Sequence, residues 1–370
     1  MKNILMIAID DLNDWTAELQ GYSGRVHTPN LDKLMSTGTN FVNAFSSAAI
    51  CNPSRTAIMT GRSPIDTGIL QNQADWESVV APDQTIFGIL KSAGYETTSL
   101  GKVLHTGPSP TAMSQMFDYY NFMGVPHPTA SFDGFAVGPI PNGTVMPDQV
   151  RADAAVNMIE NAQGDKPFFL SVGFDKPHYA WSVPQKYFDL YPLDQIVFDK
   201  TPDNYSDLPD FIKEHAGQTD PFDASRVPDE LTAKKLIQGY LASISYMDEQ
   251  LGRVVQAIES SPAASKTVLV AWSDHGYHLG DRDFWHKFTL WDNAAKAPLV
   301  IKDFSSPNGQ VITDVVELRD IFPTLLDIAD VPNPVAGTGL SLMPYVETGA
   351  RGGPHEALSL IHISEPTRPY

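Results

Sequence analysis

The sequence predicts an α/β domain with a mostly parallel central sheet and helices on both faces. Apolar runs of strand length occupy residues 4–9, 96–100, 167–174 and 267–272, and helical patterns separate them. Uninterrupted apolar runs are typical of parallel strands that are buried on both faces. Each run ends in a polar cluster, and ligands of open parallel sheets bind beyond the carboxyl ends of the strands. We therefore expect four strand ends to converge on one site.

The helical patterns lie between these strands, as a parallel sheet requires. Their apolar residues recur at helical spacing, and Gly94 marks the end of the third pattern. The predicted helices are residues 30–37, 53–59, 85–93, 149–162, 230–258 and 321–328. The fifth pattern fits one long helix or two shorter ones, and residues 297–301 are strand-like. Residues 106–148 and 180–228 show no clear period, so we expect long loops there, the first as part of a substrate rim.

The composition is that of an ordinary globular protein, with 42% hydrophobic and 19% charged residues in a chain of 370. A net charge of −19 argues against nucleic acid as a partner, and an anionic substrate would need a locally positive pocket. No apolar run is long enough to span a membrane, and no export signal follows Met1. We expect a periplasmic or extracellular protein if a signal peptide has been removed, and a cytoplasmic protein otherwise.

Cys51 is the only cysteine of the chain, so it cannot form an internal disulfide. A lone cysteine is often a small buried hydrophobe. Here Pro53 suits the first turn of a helix, which places Cys51 at the helix N-terminus. Free N–H groups and the helix dipole attract an anion there, and Arg55 adds a fixed positive charge one turn later. The stretch predicts an anion site with a reactive atom at its mouth.

Two polar pairs follow predicted strands directly. Asp10 and Asp11 end the first strand, and Asp274 and His275 end the strand at 267–272. Each pair alone also fits a solvated turn, because aspartate is common in turns. Together they offer hard oxygen ligands that suit Ca²⁺ or Mg²⁺, and the imidazole leaves Mn²⁺ and Zn²⁺ open.

Several stretches resemble the signatures of one enzyme family. Residues 51–61 read C-N-P-S-R-T-A-I-M-T-G and resemble the first signature of the type I, formylglycine-dependent sulfatases of the alkaline phosphatase superfamily. Residues 94–102, G-Y-E-T-T-S-L-G-K, resemble the second signature. K-P-H at 176–178 and W-H-K at 285–287 are similar to the iduronate-2-sulfatase-like branch. The resemblance covers the chain from residue 3 to the neighbourhood of residue 350.

The resemblance implies a modified residue and a cation. In that family a maturation enzyme oxidises the signature cysteine to formylglycine, whose hydrate attacks the sulfur of a sulfate ester. A divalent cation, usually Ca²⁺, lies beside it. The implied activity is the hydrolysis of sulfate esters on a sulfated carbohydrate such as a glycosaminoglycan, with release of inorganic sulfate. The implied cation ligands are Asp10, Asp11, modified Cys51, Asp274 and His275.

The resemblance also implies six catalytic side chains, namely Cys51, Arg55, Lys102, His105, His178 and Lys287. Arg55 would support the formylglycine hydrate, and Lys102 would hold sulfate oxygens. His178 and Lys287 would donate a proton to the leaving sugar oxygen, and His105 would accept a proton when sulfate is expelled. Five further residues are expected to be structural: Tyr240, Tyr246, Asp248, His278 and His286.

The chain departs from the family near its end. Residues 351–370 do not resemble the expected smaller C-terminal subdomain, so we expect a catalytic domain over residues 1–350 and a truncated or non-native tail. Two other functions stay open on the sequence. One is a phosphonate or phosphate ester hydrolase of the same superfamily, and the other is a catalytically inactive calcium- or carbohydrate-binding relative.

Overall fold

The computed structural model describes residues 1–349 apart from positions 125, 163, 165, 199–226, 228, 282–283 and 307–308. The strands are β1 (Asn3–Asp10), β2 (Thr39–Phe41), β3 (Ala44–Phe45), β4 (Glu96–Gly101), β5 (Tyr119–Asn121), β6 (Val137–Ile140), β7 (Phe168–Pro177), β8 (Trp181–Pro184), β9 (Thr267–Ser273), β10 (Leu299–Asp303), β11 (Gln310–Ile312) and β12 (Val316–Glu317). The α-helices are α1 (Pro29–Thr37), α2 (Cys51–Thr60), α3 (Pro64–Thr67), α4 (Ile86–Ser92), α5 (Pro110–Met116), α6 (Pro147–Glu160), α7 (Gln185–Phe188), α8 (Glu230–Ser260), α9 (Asp292–Ala295), α10 (Ile321–Ala329) and α11 (Met343–Thr348).

Eight strands form one sheet in the order β11–β2–β10–β9–β1–β7–β4–β5. The four strands predicted from the apolar runs are β9, β1, β7 and β4, and they are parallel neighbours at the centre. Strand β10 runs antiparallel to both β9 and β2. The prediction of a mostly parallel sheet is therefore confirmed, and the carboxyl ends of its four central strands meet at one edge.

Helices cover both faces of the sheet. Alternate residues of the central strands point to opposite faces, so each strand contributes to two cores. Leu5, Ile7 and Ile9 of β1 belong to a core with α1, α6 and α8. The intervening residues of β1 belong to a second core with α2, α4 and α10. The strands read as continuous apolar runs because each of these two helical layers buries one of their faces.

Helix α8 settles an alternative that the sequence left open. It is a single helix of 31 residues, and the Asp229 side chain caps it by accepting a hydrogen bond from the backbone N–H of Thr232. Nineteen of its residues are buried, which is why its periodic pattern is the strongest in the chain. Within the part of the chain that the structure describes, no helix has both the length and the apolar character of a membrane span.

The predicted long loops contain regular structure that the sequence analysis missed. Residues 106–148 hold α5, β5 and β6, and β5 adds a parallel edge strand beside β4. Residues 180–198 hold β8 and α7, and β8 pairs with β6. The prediction of loops was wrong there because elements of three to seven residues are too short to show a period. Residues 199–226 and the predicted tail at 351–370 lie outside the described residues.

Candidate active site

Helix α2 carries the cysteine at its first residue. Its N-terminal neighbour Ile50 is extended (φ −158°, ψ 140°), and the helix ends at Gly61, which has a left-handed backbone (φ 70°). Every residue of the helix is buried, and Cys51 is 1% exposed. The predicted placement of Cys51 at a helix N-terminus is thus confirmed, and the structure adds that this N-terminus is buried.

The pairs Asp10-Asp11 and Asp274-His275 come together beside this helix, because the strands they follow, β1 and β9, are parallel neighbours. The backbone N–H of Asp11 donates to Asp274 Oδ1 over 3.1 Å. Cys51 Sγ lies 3.4 Å from His275 Nε2 and 4.0 Å from Asp11 Oδ1. One potential ligand atom from each of Asp11, Cys51, Asp274 and His275 lies within 4.8 Å of the others. A second group of the same kind joins Asp10 and Asp11 to His178.

Arg55 forms hydrogen bonds with residues at the ends of several strands. Its Nε donates to Asp274 Oδ2 and one Nη donates to Asp10 Oδ1, each over 2.8 Å. The other Nη donates to the carbonyl oxygens of Lys102 and Val103, which follow β4. Arg55 therefore bonds to the ends of β1, β4 and β9 at once, and its side chain is 0% exposed.

Two lysines complete the cluster. Lys102 Nζ is paired with Asp10 Oδ2. Lys287 Nζ donates to Asp11 Oδ1 over 2.6 Å and lies 3.0 Å from Cys51 Sγ. Lys287 is 2% exposed although it comes from a loop 236 residues away from the cysteine. Three basic side chains, Arg55, Lys102 and Lys287, are thus paired with the three carboxylates of the cluster.

These charges shift the pKa values of the groups between them. Burial would raise the pKa of the Cys51 thiol, but the ammonium groups of Lys287 and Lys102 hold it well below its ordinary value. Burial would lower the pKa of His275, but the Asp274 carboxylate raises it to about 9. The two shifts favour the thiolate form of Cys51 and the protonated form of His275.

His178 lies at the edge of the cluster. Its Nε2 is 3.9 Å from Asp11 Oδ2, and its side chain is 37% exposed. Its Nδ1 lies 2.6 Å from the Tyr179 carbonyl oxygen, which assigns a proton to Nδ1 and turns Nε2 towards the site. His105 follows β4 and is partly exposed, and its Nδ1 is buried without a hydrogen-bond partner among the described residues.

Some residues that shape the site were missed by the sequence analysis. Asp148 accepts hydrogen bonds from the backbone N–H groups of Asp175 and Lys176, at 2.8 and 2.9 Å. Arg151 pairs with Asp148 at 2.9 Å and with Asp175 at 2.8 Å. This group holds the end of β7 that carries His178. The available sequence signal was an Asp and an Arg three residues apart, and that spacing is no motif.

The residues expected to be structural have structural contacts. The Tyr240 hydroxyl donates to the backbone oxygen of Asp11 over 2.7 Å. Asp248 accepts three hydrogen bonds from Asn30 and Leu31 at the start of α1. His278 Nε2 lies 2.7 Å from Thr289 Oγ1, and the His286 ring stacks at 5.0 Å on Phe288, as the packing interpretation predicts.

Comparison with known proteins identifies the family. The sequence profile described as "Sulfatase" matches residues 2–331. A sulfatase of Formosa agariphila is 35% identical, over 88% of this chain and 69% of the relative. Iduronate 2-sulfatase of Mus musculus is 31% identical, over 90% of this chain and 69% of the relative. A phosphonate monoester hydrolase of Agrobacterium radiobacter shares the fold, with a TM-score of 0.78, 20% identity, and coverage of 96% of this chain and 79% of that structure. The chain belongs to the sulfatase family, whose members are sulfuric ester hydrolases.

Proposed function

We propose that this protein removes sulfate from a sulfated carbohydrate, with a formylglycine at position 51 and a divalent cation bound beside it. The observation that carries the proposal is the arrangement around Cys51 Sγ. His275 Nε2 at 3.4 Å, Lys287 Nζ at 3.0 Å and Asp11 Oδ1 at 4.0 Å surround this atom at the start of a buried helix. In the proposed formylglycine an oxygen atom would take the place of Sγ.

The donor set fits a hard divalent cation. Asp10, Asp11 and Asp274 contribute three carboxylates, each at most 1% exposed, and His275 adds a buried imidazole. Oxygen donors are the ligands that Ca²⁺ and Mg²⁺ prefer. Each carboxylate also has a basic side chain beside it, because Arg55 pairs with Asp10 and Asp274 and Lys287 pairs with Asp11. A cation held here would polarise the oxygen atoms of the sulfate group and of the modified residue.

The surrounding side chains support distinct tasks. The partly exposed Lys102 and the buried Lys287 offer two ammonium groups that can bind sulfate oxygens and hold the ester in place. His178 reaches the site from its partly exposed edge, which suits a group that protonates the leaving sugar oxygen where the sugar meets solvent. His105 is assigned the proton that leaves position 51 when sulfate is expelled, and this role rests on the resemblance of its motif.

The carbohydrate part of the proposal is supported by the similarity to iduronate 2-sulfatase over 90% of this chain. We propose a 2-O-sulfated uronic acid or a similar sugar unit of a glycosaminoglycan as the substrate. The partners are then this sulfated sugar and a formylglycine-generating maturation enzyme. Residues 1–350 form the proposed catalytic domain. A periplasmic or extracellular location would suit a polymeric substrate.

The test compares two preparations of the same chain. One is made with a maturation enzyme and the other without it, and the mass of the peptide that carries position 51 reports the conversion. We expect the converted protein to release sulfate from a 2-O-sulfated uronic acid disaccharide in the presence of Ca²⁺, and the unconverted protein and Cys51→Ser to release none. Equal turnover by Cys51→Ser, with serine verified at position 51, would contradict the proposal.

Paired esters separate the other functions. Faster cleavage of phenylphosphonate esters than of aryl sulfates by the converted protein would assign a phosphonate hydrolase. Calcium or sugar binding without turnover of either ester would assign a binding protein.

A further inference from the structure

Two exposed rings beside the active site, Phe122 and His127, are held by the same ion pair, and we call them the rim pair. Phe122 directly follows β5 and is 42% exposed. The guanidinium carbon of Arg151 lies 5.7 Å from the centroid of the Phe122 ring, and an Arg151 Nη donates to the Phe122 carbonyl oxygen over 3.4 Å. The His127 side chain is 39% exposed, and its Nε2 lies 2.9 Å from Asp175 Oδ2. Arg151 and Asp175 pair with each other at 2.8 Å, so one ion pair fixes both rings.

This ion pair adjoins the cluster around Cys51. The carbonyl oxygen of Asp175 accepts a hydrogen bond from the backbone N–H of His178 over 2.8 Å. His178 Nε2 in turn lies 3.9 Å from Asp11 Oδ2. On the neighbouring strand β4, a Cβ added to Gly101 would lie 2.5 Å from the Arg151 side chain. A continuous series of contacts therefore leads from the rim pair to the candidate cation ligands.

The burial of the cluster determines where the rest of a substrate lies. Cys51 is 1% exposed, whereas the His178 side chain is 37% exposed. A sulfate group that reaches Cys51 therefore leaves the sugar that carries it near His178, where the cluster meets solvent. A second sugar unit linked to the first then lies over the surface beside His178, and the rim pair belongs to that surface.

The two rings offer complementary contacts to a sugar. The Asp175 carboxylate is paired with Arg151 and only accepts hydrogen bonds, so His127 Nε2 carries a proton. Nδ1 is then the nitrogen that can accept a hydrogen bond from a ligand hydroxyl. The Phe122 ring adds an apolar face. A single exposed aromatic ring is ordinary on a protein surface, but an aromatic face together with a placed polar group is typical of a ligand site.

We propose that the rim pair forms a second carbohydrate subsite, which binds the sugar unit linked to the sulfated one. The Phe122 ring packs against the C–H groups of that unit, and His127 Nδ1 accepts a hydrogen bond from one of its hydroxyls. Neither residue belongs to a signature motif, and the proposal gives a ligand to the rim that the sequence predicts within residues 106–148. The inference deepens the proposed function and rests on it, because it takes the carbohydrate of that proposal as the ligand.

The test compares two esters. The parent, Phe122→Ala and His127→Ala, all converted at position 51 and loaded with Ca²⁺, are assayed on the 2-O-sulfated uronic acid disaccharide and on 4-nitrophenyl sulfate, which has no second sugar unit. A hydrogen bond or an aromatic contact contributes about threefold to tenfold in affinity. We expect the ratio of the two kcat/KM values, disaccharide over 4-nitrophenyl sulfate, to fall by that factor in each variant. Phe122→Tyr keeps the ring and should keep the ratio of the parent.

Tyr119→Ala is the matched control. Tyr119 is the first residue of β5 and is 44% exposed, so it resembles Phe122 in exposure. Strand β5 is parallel to β4, and at about 3.3 Å per residue Tyr119 lies about 10 Å from Phe122, away from the carboxyl ends of the strands. We expect the ratio of the parent in this variant. The thermal midpoint of every variant reports whether it is folded.

Binding by the unconverted protein separates this inference from the proposed function. The unconverted parent and the unconverted Phe122→Ala are titrated with the same disaccharide by calorimetry. A converted parent without turnover, whose unconverted form binds the disaccharide more tightly than Phe122→Ala by the same factor, would refute the proposed function and support the subsite.

Three results would overturn the inference. They are an unchanged ratio in Phe122→Ala, no binding of the disaccharide by the parent, or an equal fall on both esters, which would assign the rim pair to holding the end of β7 that carries His178. Sulfate release by the converted parent would stand in the first and third cases, so failure of the inference is distinguishable from failure of the proposed function.

Discussion

Replacing Arg55 by alanine tests how the site is held together. The substitution removes the guanidinium that bonds to Asp10 and Asp274 at 2.8 Å each, and it leaves two buried carbonyl oxygens without their donors. In the variant, Asp10 keeps its ion pair with Lys102. Asp274 loses its ion pair with Arg55. Removing one partner of a buried ion pair costs about 3–5 kcal/mol. We expect a loss of that size in the free energy of unfolding.

Urea unfolding of the Ca²⁺-free protein, followed by tryptophan fluorescence, measures this loss. Arg253→Ala is the control, because Arg253 pairs with Asp153 at the surface and its side chain is 37% exposed. An exposed pair of this kind contributes less than about 1 kcal/mol. Arg55→Lys keeps the charge but cannot bond to three strand ends, so its loss should lie between the two. A loss in Arg55→Ala no larger than in Arg253→Ala would refute the reasoning.

Further predictions concern the cation site, a close backbone contact and a helix end. His275 has its pKa raised to about 9, chiefly by Asp274 against the opposing effect of burial, and it must lose this proton to bind a cation. Calorimetry in two buffers at pH 7.5 should therefore show release of about one proton per Ca²⁺ bound, and affinity should rise with pH towards 9. Gly101→Ala should cost at least about 2 kcal/mol in urea unfolding, because Gly101 has φ +71° and a Cβ there would lie 2.3 Å from the Gly173 oxygen. Asp248→Ala should lower the free energy of unfolding by about 1–3 kcal/mol, because Asp248 accepts hydrogen bonds from backbone N–H groups in the first turn of α1. The same substitution should speed hydrogen exchange in that turn.

Each of these predictions has a control within the chain. His275→Asn replaces the imidazole by an amide whose oxygen can still bind the cation and which does not titrate. It should abolish the proton release, so an unchanged release would assign the proton to another group. Gly68 has φ +71° with nothing within 4 Å of its Cβ position, so Gly68→Ala should cost only about 1 kcal/mol. Equal losses at the two glycines would mean that the close contact is unimportant. Asp229→Ala removes a single exposed cap of α8, and a loss as large as that of Asp248→Ala would contradict the role of burial.

The strand ends could be predicted because strands buried on both faces have continuous apolar sequences. Asp10 and Asp274 stand directly after continuous apolar runs, and neighbouring parallel strands bring such residues to one edge. Lys287 could be placed only through the resemblance of its motif, since it lies on a loop after β9. Its contact with Cys51 depends on how that loop folds back over the sheet, which no local pattern encodes.

The missed features share a physical cause. Strand β5 has three residues, and it is a strand because the exposed edge of β4 offers it hydrogen bonds, so its own sequence shows little. The pair of Asp148 and Arg151 looks like two solvated charges on a helix, and only the packing of α6 against β7 buries it.

The burial of Cys51 also bears on when its thiol is accessible during synthesis and folding. The contacts that enclose the thiol include Lys287, which is made 236 residues later. At a synthesis rate of about 5–20 residues per second, roughly 10–50 s pass between the two residues. Under the proposed conversion to formylglycine, an enzyme would have to reach Cys51 during that interval or before the last strands close over it. The speed of translation and folding, and not only the local motif, would then set the fraction of the protein that is converted.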